Sequence, residues 1–149
     1  MSIEGKNNQE AGQYVVFSIG EQLCALPIEE VIEIIRIQTI TEVPGVNEYI
    51  SGMINLRGNI LPVIHLSQRF NKPILPLQKK TRIIITRDND EDIGLIVDDV
   101  MMVQHVELVN LERAPDLFNI LEKDCFKGFI KEKEKLIGVL NLERALYPS

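Results

Sequence analysis

The sequence has few residues of the kinds that support disulfide frameworks, membrane spans or nucleic-acid binding. It contains only two cysteines, too few for a disulfide framework. No apolar run approaches the roughly 18 residues that a membrane helix requires, and residues 1–6 lack the apolar core of a signal peptide. With 16 Lys and Arg against 22 Asp and Glu, the formal net charge is −6, which disfavours binding to nucleic acid or to anionic lipid. These absences favour a cytoplasmic protein.

The remaining composition is that of a soluble globular protein. Of the 149 residues, 45% are hydrophobic and 26% are charged, without the bias that marks a disordered chain. A chain of this length buries roughly 68–70% of the surface that its unfolded form exposes, which is enough for one compact domain or two small interlocked units. Residues 1–12 are polar and are interpreted as a flexible N-terminal tail, so the domain is expected to span residues 13–149.

Short apolar runs separated by turn residues predict a mostly β fold. The runs at 14–19 and 23–28 predict a hairpin. Further runs that are rich in Val and Ile predict strands at 60–66, 82–86, 93–97 and 136–142. Strands at this spacing indicate an all-β barrel or sandwich.

Helix is predicted only in short pieces. One or two helical turns are favoured where apolar residues recur three and four positions apart, at Ile28, Val31, Ile32 and Ile35. Two more short helices are predicted at 67–70 and 142–146, with Ser67 and Asn141 as their N-caps.

Two pairs of segments resemble each other along the chain. Residues 26–34 and 95–103 share a pattern of three apolar residues, two acids, a valine and further apolar positions. Residues 52–66 and 128–142 align without gaps and match at both glycines, Gly52 and Gly128. Chance similarity among short apolar strands is one explanation. The explanation that we prefer is a duplicated unit, which forms two similar small barrels in one domain.

The residues that support metal binding or catalysis in other proteins lie in unsuitable contexts here. His65 and His105 have no second His or Cys at ligand spacing. The acidic residues at 88–92 lack the Gly and Glu that a calcium loop places at its sixth and twelfth positions, so they predict a solvated hairpin tip. No nucleophile motif or phosphate-binding loop is present in the sequence. We therefore predict no enzyme activity, no catalytic residue, no metal and no cofactor.

One turn, Asn55-Leu56-Arg57-Gly58-Asn59, has the features of a binding surface. Arg57 stands next to a turn glycine between two apolar runs, and its planar guanidinium can donate to a partner's carboxylate or backbone oxygens. The alternative is an arginine that is solvated or paired within the fold. Val31 and Glu33 have the same alternative, as ordinary core and surface residues.

The signature of the CheW-like domain family of chemotaxis coupling proteins resembles residues 52–66, GMINLRGNILPVIHL. The resemblance extends from residues 13–17 through 28–34 to the C-terminal end, so it covers the chain except for the tail. The Asn-Leu-Arg-Gly segment and the Val-x-Glu-Ile segment at 31–34 together make a specific combination. His65 and Pro27 depart from the family pattern, since both stand where Asp is common.

The resemblance implies an all-β fold of two five-stranded SH3-like barrels packed on a shared hydrophobic core, with a few short helices. It implies a non-enzymatic scaffold or adaptor that couples chemoreceptors (methyl-accepting chemotaxis proteins) to the histidine kinase CheA in a two-component signalling system. The implied partners are the cytoplasmic tip of the receptor and the regulatory domain of the kinase, without nucleic acid and without direct membrane insertion. The protein is accordingly expected in the cytoplasm, recruited to membrane-associated receptor arrays. Receptor binding is implied by resemblance for Ile28, Val31, Glu33 and Arg57.

A small nucleic-acid-binding β-barrel protein is the alternative function. SH3-like and OB-like barrels often bind nucleic acid. They need a basic surface with stacking aromatic rings, whereas this chain is acidic and its Tyr and Phe residues mostly lie within apolar runs. The composition therefore favours the adaptor.

Overall fold

The computed structural model describes residues 12–45, 50–106, 111–112, 125–132 and 134–147. The strands in these residues are β1 (Gly12–Ile19), β2 (Gln22–Pro27), β3 (Val31–Arg36), β4 (Ile50–Leu56), β5 (Asn59–His65), β6 (Arg82–Asp88), β7 (Glu91–Val97), β8 (Asp99–Val106), β9 (Leu111–Glu112), β10 (Phe126–Glu132) and β11 (Lys135–Leu140). Helical structure is confined to a 3-10 turn (Ile28–Glu30) and the short helices α1 (Leu66–Arg69) and α2 (Leu142–Leu146) within the same residues.

The strands form two sheets that belong to two compact units. The first sheet has the order β8-β1-β2-β11-β10-β9 and the second has the order β3-β6-β7-β5-β4. The second unit is the continuous segment Glu30–Val100, and the first unit combines the chain before it with the chain after it. The predicted all-β fold class is confirmed, with a sixth strand, the two-residue β9, in the first sheet.

In the first unit, β2 pairs on both sides. It runs antiparallel to β1 and parallel to β11, where Cys24 lies opposite Gly138. One core cluster of this unit comprises Tyr14, Val16, Ala25, Ile130, Ile137 and Val139. Val15 and Phe17, which alternate with Tyr14 and Val16 along β1, are buried as well. Burial of both faces explains why this strand reads as an unbroken apolar run.

In the second unit, β7 has the central place. It runs antiparallel to β6 and parallel to β5, with Gly94 opposite Val63. A Cβ atom at Gly94 would lie 2.8 Å from side-chain carbons of both Ile83 and Val63, so glycine permits the close packing of these strands. The core cluster of this unit comprises Ile54, Leu61, Val63, Ile83, Ile85 and Ile96.

Residues after β3 bring the two edges of the second sheet together. Thr41 and Met53 exchange backbone hydrogen bonds of 2.9 and 2.8 Å. Nε2 of Gln38 donates to the backbone oxygen of Asn55 at 2.9 Å. Since β3 and β4 are the two edge strands, these bonds close the sheet into a barrel.

Most predicted elements are confirmed, and two local predictions are wrong. The N-terminal hairpin and the other predicted strands are present, and Oδ1 of Asn141 caps α2 by accepting from the backbone N–H of Arg144 at 3.2 Å. The predicted helical turns at 28–35 are instead a 3-10 turn followed by β3, because the β-branched run from Val31 pairs with β6. Ser67 lies inside α1 and does not cap it.

The segments that resemble each other occupy corresponding places in the two sheets. Residues 52–66 and 128–142 include the hairpins β4–β5 and β10–β11, and each hairpin has a register shift just before its glycine, Gly52 or Gly128. Residues 26–34 and 95–103 each run from a central strand into an edge strand, from β2 to β3 and from β7 to β8. Each sheet therefore contains strands from both halves of the sequence. The predicted tail lies outside the described residues except for Gly12, where β1 begins.

Candidate functional site

The β4–β5 hairpin closes in a two-residue turn formed by Arg57 and Gly58. Leu56 pairs with Asn59 across the hairpin, and the φ angles of the turn residues are 52° at Arg57 and 87° at Gly58. Two consecutive left-handed residues are typical of a type I′ turn, whose twist matches that of the flanking strands. Oδ1 of Asn55 accepts from the backbone N–H of Gly58 at 2.9 Å. Arg57 is thus carried by a turn that its neighbours hold in place.

Glu33 lies on β3, at an edge of the second sheet. Val31 pairs with Thr86 and Glu33 pairs with Ile85, so Ile32 is an extra residue between the two pairs. Such a β-bulge re-aims the side chains beside it. Val31 and Glu33 are half-buried, whereas Ile32 is exposed.

Arg57 and Glu33 form an ion pair. Nη1 of Arg57 donates to Oε2 of Glu33 at 3.4 Å, and Nη2 donates to Oε1. The hydrogen bond to Glu33 and then its charge raise the pKa of Arg57 above the usual range, against an opposing effect of desolvation. The side chains are 67% and 31% exposed, and ion pairs this exposed contribute little to stability. The pair therefore serves mainly to orient the guanidinium at the surface.

Of the four residues that the resemblance implies for receptor binding, the structure brings Glu33 and Arg57 into contact. Val31 lies two positions before Glu33 on the same strand. Ile28 lies in the 3-10 turn before β3, is exposed, and belongs to the first unit. Pairing within the fold, which was the alternative interpretation of Arg57, is observed. The receptor-binding role of the four residues remains a prediction.

Sequence reasoning missed two exposed side chains on the same strand, Ile32 and Ile34. Both alternate along β3 with half-buried residues. Two exposed isoleucines on one edge strand provide apolar area of the kind that protein-binding surfaces use. The signal was present in the β-branched run Val-Ile-Glu-Ile-Ile at 31–35, but a helical interpretation places these residues on other faces.

The cysteines and His65 lie in buried or half-buried positions. Cys24 and Cys125 are buried and form no disulfide, and burial raises the pKa of Cys24. Burial also lowers the pKa of His65, and the charge of Asp98 opposes that effect. Among the described residues, no group of three or more His, Cys, Asp or Glu is placed to hold a metal ion. None of the helices in the described ranges is long and apolar enough to cross a membrane.

The acidic residues at 88–92 form a hairpin tip, as predicted. β6 ends at Asp88 and β7 begins at Glu91, and the two residues between them both have positive φ angles. Nε of Arg87 donates to Oδ1 of Asp92 at 2.8 Å. This bond raises the pKa of Arg87. The tip therefore carries a second exposed Arg–carboxylate pair, on a different hairpin from Arg57.

A groove of about 520 Å³ lies in the first unit. Its lining includes Leu23, Met101, Met102, Lys135 and Ile137. In the alignment of residues 95–103 with 26–34, Met102 corresponds to Glu33. At the place that corresponds to Glu33, the first unit therefore has a methionine that lines a groove of mixed apolar and polar residues.

A small all-β domain that presents an exposed arginine on a hairpin turn, paired with a glutamate on an edge strand, has the features of a protein-binding module. Comparisons with known proteins identify the family. The model of the CheW-like domain matches residues 13–148. The chemotaxis protein CheW of Bacillus subtilis is 33% identical over 132 residues, which are 89% of this chain and 85% of that protein. The CheW of Thermotoga maritima is 32% identical over 136 residues, which are 87% of this chain and 84% of that protein.

A solved structure has the same fold. The crystal structure of the scaffolding protein TtCheW from Thermoanaerobacter tengcongensis matches with a TM-score of 0.83 and 34% identity, covering 92% of this chain and 88% of TtCheW. The chain therefore belongs to the CheW-like domain family of chemotaxis scaffold proteins.

Proposed function

We propose that this chain is a non-enzymatic adaptor that couples the cytoplasmic tip of a chemoreceptor to the histidine kinase CheA. The observation that carries the proposal is the ion pair between Glu33 and Arg57. These residues are 24 positions apart in the sequence and lie on different elements, yet they meet at one surface. Both were implied for receptor binding by resemblance, and their contact supports a common role.

The ion pair suits recognition of a helical receptor tip. Bonding to Glu33 engages two of the N–H groups of Arg57, and a guanidinium has five, so donors remain for a partner. Val31 and Ile28 supply apolar area, while the charged pair sets register and partner choice. An arginine at the centre of such a contact is typically worth ~2 kcal/mol or more of binding free energy.

The second partner is the regulatory domain of CheA. An adaptor of this kind binds and positions other proteins and turns over no substrate, so it needs no cofactor or metal. It acts in the cytoplasm and joins membrane-associated receptor arrays through its partners, without inserting into the bilayer and without binding nucleic acid.

Arg57→Ala tests the assignment of the receptor site. We expect Kd for a chemoreceptor cytoplasmic fragment to rise at least about tenfold, while binding to CheA and thermal stability stay near those of the wild type. Arg87→Ala is the matched control, because it removes the other exposed Arg–carboxylate pair. Calorimetric titration of both variants measures the difference.

Exchanging the charges separates binding from fold stabilisation. The double variant Glu33→Arg with Arg57→Glu restores an ion pair, so it is expected to fold normally and still fail to bind the receptor fragment. Receptor binding by Arg57→Ala with the wild-type Kd would reject the site. A wild-type chain that binds neither the receptor fragment nor CheA would reject the adaptor function itself.

A further inference from the structure

Between α1 and β6 the second unit exposes a continuous segment. All residues from 71 to 80 are exposed, and we call residues 72–80, KPILPLQKK, the basic–apolar segment. Its aliphatic side chains are Ile74, Leu75 and Leu77, which are 49%, 48% and 52% exposed. Three large aliphatic side chains exposed within four positions form an apolar patch of the kind that marks an interaction site.

The basic–apolar segment lies in the positively charged part of an acidic chain. Residues 49–87 contain seven of the 16 Lys and Arg and none of the 22 Asp and Glu. Among the described residues, no carboxylate pairs with Lys72, Lys79 or Lys80. Asp98 and Asp99 follow β7 directly, and the charge of Asp98 acts on His65. Neither carboxylate pairs with these lysines. The three ammonium groups are therefore available to carboxylates of another molecule.

The segment is separate from the Glu33–Arg57 pair. β5 starts directly after the Arg57–Gly58 turn and ends directly before α1, which leads into the segment. At about 3.3 Å per residue, the seven residues of β5 span roughly 20 Å. A partner bound at the ion pair therefore leaves the basic–apolar segment accessible to a different partner.

We infer that the basic–apolar segment is a second docking element, and that its partner is a protein surface with an apolar cleft bordered by carboxylates. The inference rests on the proposed function, in which that partner is CheA. Pro73 and Pro76 stand three positions apart, the period of a polyproline II helix. Prolines restrict the free segment and so reduce the entropy lost when it enters a cleft. The lysines at both ends complement an acidic border.

The composition of the segment favours a protein over a lipid bilayer. Segments that anchor at a membrane interface commonly place Trp or Phe beside their aliphatic residues, and residues 71–81 contain no aromatic residue. Two prolines within four residues also prevent an amphipathic helix, which is the usual form of a surface-bound segment. A segment with exposed aliphatic side chains and two prolines, whose φ angles are restricted, suits a cleft of defined shape.

Two double variants test the inference by titration with full-length CheA. Ile74→Ser with Leu77→Ser removes the apolar contact, and Lys79→Glu with Lys80→Glu reverses the charge. We expect each to raise Kd for CheA at least about tenfold and to leave Kd for the receptor fragment unchanged. The charge variant is also expected to weaken the dependence of Kd on salt. Thermal melts check that all chains are folded.

The matched controls are Ile60→Ser and Lys131→Glu. Ile60 is 70% exposed, more than any aliphatic residue of the segment, and lies at the other end of β5; Lys131 is an exposed lysine of the first unit. Both controls are expected to bind CheA within about twofold of the wild type.

The outcomes separate this inference from the proposed function. If the wild type binds CheA and the segment variants bind equally well, the inference is wrong and the adaptor function stands. The inference would also be overturned if the segment variants lost binding to the receptor fragment and kept binding to CheA. So would flotation of the wild type, but not of the variants, with anionic phosphatidylglycerol vesicles. If the wild type does not bind CheA at all, the proposed function is wrong, and the inference that rests on it is wrong as well.

Discussion

Two separate contacts constrain Arg57, one through its backbone and one through its side chain. Its left-handed backbone belongs to the hairpin turn, and its side chain is bonded to Glu33 on another strand. Because both constraints act on one residue, the guanidinium loses less conformational entropy on binding than a free arginine does. A pre-oriented charge of this kind improves recognition without contributing much to stability.

His65 makes the stability of the fold dependent on pH. Burial lowers the pKa of His65 in the folded chain, and Asp98 offsets only part of that effect. The unfolded chain therefore binds a proton at a higher pH than the folded chain does, and the free energy of unfolding falls as the pH drops below the usual pKa of histidine, about 6.5. At neutral pH and above, His65 is uncharged in both the folded and the unfolded chain, and this loss of stability is absent.

Urea denaturation at about pH 7.5 and about pH 5.5 measures this effect, since the usual pKa of histidine lies between them. We expect the wild type to lose more stability between the two values than His65→Gln does. His105→Gln is the control, because His105 is exposed. Equal losses in the wild type and His65→Gln would contradict the prediction.

The β4–β5 turn depends on a glycine at its second position. Gly58 has a φ angle of 87° and open space around it, since no atom lies within 4 Å of an added Cβ. Gly58→Ala is therefore expected to lower the free energy of unfolding through backbone strain alone, by about 1 kcal/mol. Chemical denaturation of Gly58→Ala and of the neighbouring exposed control Asn59→Ala checks this. A Gly58→Ala chain as stable as the wild type would show that the turn tolerates another backbone conformation.

The contrast between β1 and β3 shows which elements the sequence could predict. β1 is predicted correctly because a continuous apolar run between turn residues indicates a strand. The run is continuous because Val15 and Phe17 are buried together with their neighbours on the other face. β3 was assigned wrongly because Ile28, Val31 and Ile35 also fit helical spacing. Pairing with β6, some 50 residues later in the chain, decides the outcome, and local patterns do not contain that information.

The candidate site was predictable as a set of residues but not as a contact. Arg57 was singled out by the turn, and Glu33 by resemblance. Their pairing depends on the residues after β3 returning to β4 through the Thr41–Met53 bridge. Such closure joins groups that are far apart in the sequence, and local patterns do not reveal which segments will meet. The exposure of Ile32 was missed for a related reason, because its alternation with half-buried residues belongs to the strand that pairs with β6 and not to a helix.

The second unit is built from strands on both sides of the basic–apolar segment. β3, β4 and β5 precede it, and β6 and β7 follow it. The sheet nevertheless places β6 beside β3 and β7 beside β5. A break in the segment would therefore leave every strand pair of this sheet intact.

A cleavage site for a specific protease, inserted after Leu75, tests this arrangement. After complete cleavage, the two fragments are expected to elute together in gel filtration under native conditions and to separate in urea. The uncut insertion variant controls for effects of the added residues. Separation of the fragments without denaturant would mean that the pairs β3–β6 and β5–β7, even together with the β2–β11 pair of the first sheet, do not hold the two fragments together.

The first sheet joins the beginning of the chain to its end. Beyond the parallel pairing of β2 with β11, Nε2 of Gln22 donates to the backbone oxygen of Leu136 across 114 residues at 3.4 Å. Ribosomes add about 5–20 residues per second, so the β1–β2 hairpin waits roughly 6–23 seconds for the strand that completes it. During that time one edge of β2 is open to other nascent chains. Biosynthesis thus leaves β2 to be completed by a strand that is made long after it.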